Sequence, residues 1–275
     1  MESAIERLLW DIILLINRDS ALSTIYQTLE GFMHSVYQLV LELQTHVMLP
    51  VAYVILSIFI LLELQKIATK VESAGGATSL GVELVFKALV KLVICQIVIN
   101  NVQLLLNGIL GVASHLAWTV LHFPTAQNNL HDIVNLFMRY VRDTNFWGRL
   151  VILMILFILF LVSIVLRVCI RGTFYLRFFE LYVFAAIAPL PVATLPNEEF
   201  SSIAKNYFKG FAASGLQGVL IAVVMVIYPG ILFHIFGTLG GSIPLMVVAL
   251  TVYMLVVVMS IGKTKQWAKS LLSIS

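Results

Sequence analysis

Residues 150–166, LVILMILFILFLVSIVL, lie between Arg149 and Arg167 and contain no ionisable side chain. A run of about twenty such residues matches the ~30 Å hydrocarbon core of a bilayer at ~1.5 Å of helical rise per residue. In lipid the backbone must satisfy its own polar groups, so such a run is read as a helix. Four further apolar blocks nearly match it, at about residues 47–64, 178–195, 207–235 and 243–261. The fold class is therefore all-α: a polytopic membrane protein with about five, alternatively six, transmembrane helices and amphipathic N-terminal helices.

Composition agrees. Hydrophobic residues make up 60% of the chain and charged ones 11%, with mean hydropathy +1.00, which leaves little for a soluble domain. The net charge of +3 gives no nucleic-acid footprint and matters through its placement between spans. Cys95 and Cys169 both sit in apolar segments, which argues against a disulfide framework or a cysteine metal site.

Residues 1–46 read as an amphipathic helical region. Glu2, Glu6 and Asp11 exclude a cleavable signal, and Ile5, Leu8, Leu9, Ile12 and Ile13 recur at helical spacing. After a polar break at 17–20, Leu22, Ile25, Leu29, Phe32, Val36, Leu39 and Leu43 form a pairing seam that leads into the first span. Pro50 stands near the start of that span, where a missing N–H is least costly. Glu63 and Lys66, three apart at its far end, suggest a local ion pair.

A turn at Gly75-Gly76-Ala77-Thr78 follows, then Glu83, Lys87 and Lys91 along one helix face. The segment 92–120 is apolar but carries Gln96, Asn100, Asn101, Gln103 and Asn107; it either spans or dips in and returns. The segment 130–142 reads as an amphipathic helix on the membrane surface, with Trp147 as an interfacial anchor. A brief turn at Gly172 separates the span after Arg149 from the next, whose second half is broken by Pro189 and Pro191. A polar loop at 197–205, a long span interrupted at Pro229, an uncharged turn at 237–242 and a final span follow. The domain division is an N-terminal region to 46, a transmembrane domain 47–262 and a basic tail 263–275.

Short cytoplasmic loops accumulate Lys and Arg. Six crossings with the tail inside place the Lys66–Lys91 cluster outside, a poor bias. Five crossings leave only Arg7, Arg18, Arg167, Arg171 and Arg177 outside, with every other Lys and Arg inside, including those of 122–146. The N-terminal region then faces the exterior, where an extracytoplasmic partner could dock.

Arg177 and Glu180, one helix turn apart in a span, permit an ion pair facing a polar cavity or a neutralised pair near the interface. Pro189 and Pro191 free backbone carbonyls, as at transporter midplane sites or at a simple span end. Gly210, Ser214 and Gly218 recur every four residues as a small-residue face for close helix approach, and Gln217 can bond across that seam. The six histidines show no metal-ligand spacing, and no P-loop or hydrolase nucleophile motif occurs, so neither catalysis nor a cofactor is expected.

Five stretches carry a family resemblance: Leu62-Glu63-Leu64-Gln65-Lys66, residues 88–94 (ALVKLVI), residues 188–194 (APLPVAT), residues 205–213 (KNYFKGFAA) and Leu216-Gln217-Gly218. In order and spacing the chain resembles the TrbL-like, VirB-six group of type IV secretion and conjugation proteins, most closely those of Gram-positive conjugative elements. The resemblance implies a non-enzymatic, oligomeric subunit of the cytoplasmic-membrane translocation channel, with an extracytoplasmic N-terminus and a cytoplasmic C-terminus. The implied partners are a VirB-four-type ATPase, a coupling protein, an extracytoplasmic subunit, further copies of the chain and membrane lipid. The implied cargo is a relaxase–DNA complex or protein. On this reading the break at Pro189 and Pro191 and the segment holding Lys205, Asn206 and Lys209 form the cytoplasmic mouth, where the lysines meet DNA without reading its sequence. A small-solute permease and a purely structural scaffold are the alternatives.

Overall fold

The computed structural model describes residues 2–13, 19–73, 78–123, 128–238 and 243–273. The turns expected at 75–77 and 239–242, and the start of the polar break at Asn17, lie outside the described residues. Every regular element among the described residues is helical. They are α1 (Glu2–Ile13), α2 (Asp19–Tyr26), α3 (Leu29–Phe32), α4 (His34–Leu43), α5 (Leu49–Ser73), α6 (Thr78–Asn100), α7 (Val102–Leu121), α8 (Asn128–Arg142), α9 (Phe146–Ile187), α10 (Pro189–Val192), α11 (Ser201–Thr238) and α12 (Ile243–Leu271). Five stretches are long and apolar enough to cross a membrane: His34–Ser73, Val102–Leu121, Phe146–Ile187, Ser201–Ile235 and Pro244–Leu271. The protein is an all-α, multi-pass membrane protein.

Five is the expected number, but the members differ. Helix α9 runs through Gly172 without a turn, so the two spans expected on either side of that residue are one helix of 42 residues. An interior glycine costs about 1 kcal/mol relative to alanine, too little to break a helix whose neighbours all favour it. The fifth member is α7, from the segment expected to span or return. It does not return: Asn101 N–H still bonds the Ile97 carbonyl at 3.1 Å, and the Asn101 carbonyl accepts from Leu104 N–H at 3.0 Å. The helical hydrogen bonds run on through Asn101, the single residue between α6 and α7.

Pro50 stands inside a helical stretch that begins at His34, not at a helix start. The turn before it, Gln44–Met48, is π-helical, and Leu49 N–H bonds the Gln44 carbonyl. A one-residue widening of this kind is how a helix accommodates a local mismatch in its ladder. The division expected at residue 46 thus falls within continuous helix. The seam expected over 22–43 is interrupted at 27–28 and at Met33, whose extended backbone (φ −145°, ψ 91°) separates α3 from α4. The register slips there, which leaves Leu39 and Leu43 exposed while Tyr37, Val40 and Gln44 are buried.

The chain divides into two compact parts. One comprises residues 1–27, 112–177 and 216–268. Its core joins Ile5, Leu9 and Ile12 of α1 to Ile133, Phe137 and Val141 of α8. Glu2 binds Arg149 at 2.7 Å and Trp10 meets the His131 ring edge-on. This corrects two expectations. The apolar face of α8 is covered by protein, not laid in headgroups, although Trp147 next to it is exposed. Residues 2–13 and 128–142 also lie together, not on opposite sides of the bilayer. The outward face of α1 presents Glu6, Arg7 and Asp11.

The other part comprises residues 28–111, 178–215 and 269–275. Phe32 stacks on Phe178 with ring centroids 3.9 Å apart, and Leu29, Leu56, Ile99, Leu106, Leu181 and Phe211 are buried around them. The exposed side chains of α5 are apolar over Val51, Val54, Ile58 and Leu61. A helix apolar on both its buried and its exposed faces is suited to lipid on the exposed side.

Candidate functional site

The helix break predicted at Pro189 and Pro191 is present, and it organises the second compact part. Helix α9 stops at Ile187, and both prolines enter the first turn of the short α10, where their missing N–H groups leave no bond unmade. A break at membrane depth must still satisfy its carbonyls. Tyr207 of α11 donates to the Phe184 carbonyl at 2.7 Å, Thr194 to that of Pro191 at 2.7 Å, and Cys95 of α6 to that of Val192 at 3.3 Å. These three carbonyls are thus bonded within the protein.

Asn197, almost fully buried, then caps the turn that leads into α11: its Oδ1 accepts from the backbone N–H of Glu199 at 3.0 Å and of Phe200 at 3.4 Å. The adjoining acids turn outward to a cluster of lysines. Lys66 Nζ lies 2.6 Å from Glu199 Oε1, and Lys91 Nζ lies 3.1 Å from Glu198 Oε1 and 3.6 Å from Glu63 Oε1. The ion pair expected between Glu63 and Lys66 is thus replaced by pairs that tie the ends of α5 and α6 to residues 198–199. The hydrogen bond from Lys91, followed by its charge and that of Lys70, holds the Glu198 carboxyl below the usual carboxylate range.

A depressed folded-state pKa contributes stability above the ordinary carboxylate pKa, and that contribution is lost as pH falls through the depressed value. The tether is therefore fully formed at neutral pH and releases only in acid. Exposed pairs of this kind contribute little to global stability, so the expected effect is local. Converting Glu198 and Glu199 to glutamine should speed proteolysis within 193–200 severalfold at neutral pH while leaving the melting temperature within about 2 °C. Unchanged cleavage would show that the pairs do not hold this segment.

Lys205, Asn206 and Lys209 share the exposed face of the first turns of α11. Among the described residues neither lysine is ion-paired, in contrast to Lys66 and Lys91. Gly210, one residue on, faces inward: a Cβ there would lie 3.3 Å from Phe184 Cζ. Ser214 is buried. The small-residue face is thus used, at Gly210, for close approach to α9 of the same chain.

In the first compact part Arg177 is 2% exposed, and its Nη1 donates at 2.9 Å to the carbonyl of Ile25 in the last turn of α2. A guanidinium there meets both an orphan carbonyl and the negative end of the helix dipole. Gly218 supplies the room, since a Cβ on it would stand 2.5 Å from Arg177 Cζ. Gln217 beside it is 3% exposed, and its Oε1 has no hydrogen-bond partner among the described residues. Glu180 is half-buried one turn further along α9 and belongs to the other compact part.

Sequence spacing placed the break at Pro189 and Pro191 and did not point to Glu198, Glu199, Cys95 or Asn197 as its supports. Asn197 followed by two glutamates is a helix-start signature that could have been read. The described residues hold no group of three or more His, Cys, Asp or Glu placed to bind a metal.

A family model described as TrbL/VirB6 plasmid conjugal transfer like protein matches residues 17–189, more than half of the chain. The match ends at Pro189, so 205–213 and 216–218 lie beyond it. No curated protein and no solved structure matches the chain.

Proposed function

The chain belongs to the TrbL/VirB6 plasmid conjugal transfer-like family, and on that premise we propose that it is a subunit of the translocation channel in the cytoplasmic membrane, without an active centre of its own. Membership and five apolar helices make it a multi-pass membrane component of a conjugal transfer system that works with the other subunits of that system. The finer reading is that several copies surround a path for a relaxase–DNA complex or protein substrate. A VirB-four-type ATPase and a coupling protein then act from the cytoplasm, and an extracytoplasmic subunit acts at α1.

The observation that carries this reading is the contrast among lysines at the helix break. Lys66 and Lys91 are neutralised by carboxylates, whereas Lys205 and Lys209 stand exposed and uncompensated on one face of α11. An uncompensated cationic stripe at the end of a membrane helix suits non-specific contact with a polyanion. Lys66, Lys70, Lys87, Lys91, Lys205, Lys209 and Lys269 all belong to the same compact part, and the positive-inside tendency supports placing these helix ends in the cytoplasm.

Formaldehyde crosslinking of DNA in transit tests the conduit role. We expect the DNA to be recovered with this chain during active transfer, and at least tenfold less when the coupling ATPase is inactive. Recovery at background level in transferring cells would leave the chain a scaffold. A solute-carrier role is the second reading of the break at Pro189 and Pro191 and takes no support from the lysine contrast. Solute uptake by the purified chain in liposomes would revive it.

A further inference from the structure

The second compact part holds a cavity of about 560 Å³ between α5, α10 and the start of α11, lined by Ile55, Ile58 and Phe59 on one side and by Ile187, Pro191 and Ile203 on the other. Its walls are almost wholly carbon. Its open edge is formed by Ile58, 52% exposed, and Ile203, 47% exposed, on stretches long and apolar enough to cross a membrane. Phe59 of the groove wall also meets Phe200, with ring centroids 5.1 Å apart, and Glu199, next to Phe200, is the carboxylate that binds Lys66. Along α5 the groove residues Ile55 and Phe59 continue at steps of three and four into Glu63, Lys66 and Lys70.

We propose that this groove holds one acyl chain of a bilayer phospholipid whose phosphate is bound by Lys70, beside the Lys66–Glu199 pair. Length supports that occupant. Ile55 and Lys66 are eleven residues apart on one helix, about 16 Å at ~1.5 Å per residue, which is close to half of the ~30 Å hydrocarbon core and so to the depth of one leaflet. Direction supports it as well, because helical side chains lean toward the N-terminus and bring Lys70 back toward the groove. Lys70 completes the charge match. It is exposed and, unlike Lys66 and Lys91, has no carboxylate within ion-pair distance among the described residues. A soluble apolar ligand would offer that cation no anion, whereas a phospholipid uses both ends of the site. The inference rests on membrane insertion alone and stands or falls separately from the conduit role.

The full-length protein in nanodiscs containing a phospholipid with a diazirine at the end of its acyl chain provides the test. Label should concentrate on peptides covering 55–59 and 187–203, at five times or more the yield per residue found on the exposed 252–259 face of α12. Ile203→Trp, which fills the groove from an exposed position, should reduce that excess at least fivefold, and Ile58→Trp should do the same should the first variant fail to accumulate. Lys70→Glu should lower the amount of phospholipid retained through detergent purification at least threefold, read by native mass spectrometry. Equal labelling of the groove and of α12 in the unmodified chain would overturn the proposal, as would full excess labelling in a folded tryptophan variant. Retention unchanged in Lys70→Glu would overturn the assignment of the phosphate.

Discussion

Replacing Lys205 and Lys209 together by glutamate should lower DNA transfer at least tenfold while leaving the amount of chain in the membrane unchanged. The two side chains stand four apart on the exposed face of α11, so they present a paired charge on one helical face. A strand that passes this face gains counterion-release energy for each phosphate neutralised, and reversing both charges turns the attraction into repulsion. Neither lysine is ion-paired among the described residues, so the exchange strands no buried carboxylate and the fold should tolerate it. Substitutions at exposed sites of this kind usually stay within about 0.5 kcal/mol. A glutamine pair should give an intermediate loss and an arginine pair almost none, since charge and not shape is what the strand meets. One confounder is specific to membranes: lost lysines weaken the topological signal. A reporter fused after residue 275 checks that the tail has kept its side. Transfer at the unmodified level, with the tail correctly placed, would remove the lysine pair from the path.

The break at Pro189 and Pro191 was legible because proline acts through its own ring and its own missing N–H, whatever the tertiary context. Gly172 looked similar and misled, because a glycine only lowers helix propensity by an amount that neighbouring residues can outweigh. The amphipathic pattern of 130–142 identified a helix correctly but not its cover: lipid and a protein core both accept an apolar face, and only the positions of Ile5, Leu9 and Ile12 decide between them. Local spacing likewise paired Glu63 with Lys66, whereas Lys91 takes Glu198 from 107 residues away and Lys66 takes Glu199. Period and propensity carry no information on contacts of that separation. The polar residues of 96–107 leave a crossing and a return equally open from spacing alone. In the structure Tyr53 donates to Asn100, and Asn107 donates to the Tyr37 hydroxyl at 3.1 Å, so part of that run bonds across helices.

The second large effect concerns the buried arginine. Gly218→Ala alone should destabilise the protein by about 2–3 kcal/mol, in the range of overpacked or disrupted buried polar contacts, because the new Cβ would stand 2.5 Å from both Cζ and Nη2 of Arg177 and 2.6 Å from Nη1. The guanidinium ends a flexible side chain, yet it is almost completely buried and bonded to the Ile25 carbonyl, so displacing it sacrifices a charged hydrogen bond in a water-poor setting. Arg177→Met should also be costly, by about 1–3 kcal/mol, since it deprives that carbonyl of its donor. Arg177→Lys should not restore stability, because an ammonium lacks the flat fork that fits against Gly218. The decisive measurement is the double variant. With methionine at 177 the guanidinium that obstructs a Cβ at 218 is gone, so adding Gly218→Ala should then cost less than about 0.5 kcal/mol, a coupling of 1.5 kcal/mol or more on a ~0.5–3 kcal/mol scale. Thermal unfolding in one detergent, with all four proteins at equal concentration, reads these differences. Costs that simply add would show that Gly218 is small for a reason other than Arg177, and the tie between α2, α9 and α11 at this point would have to be sought elsewhere.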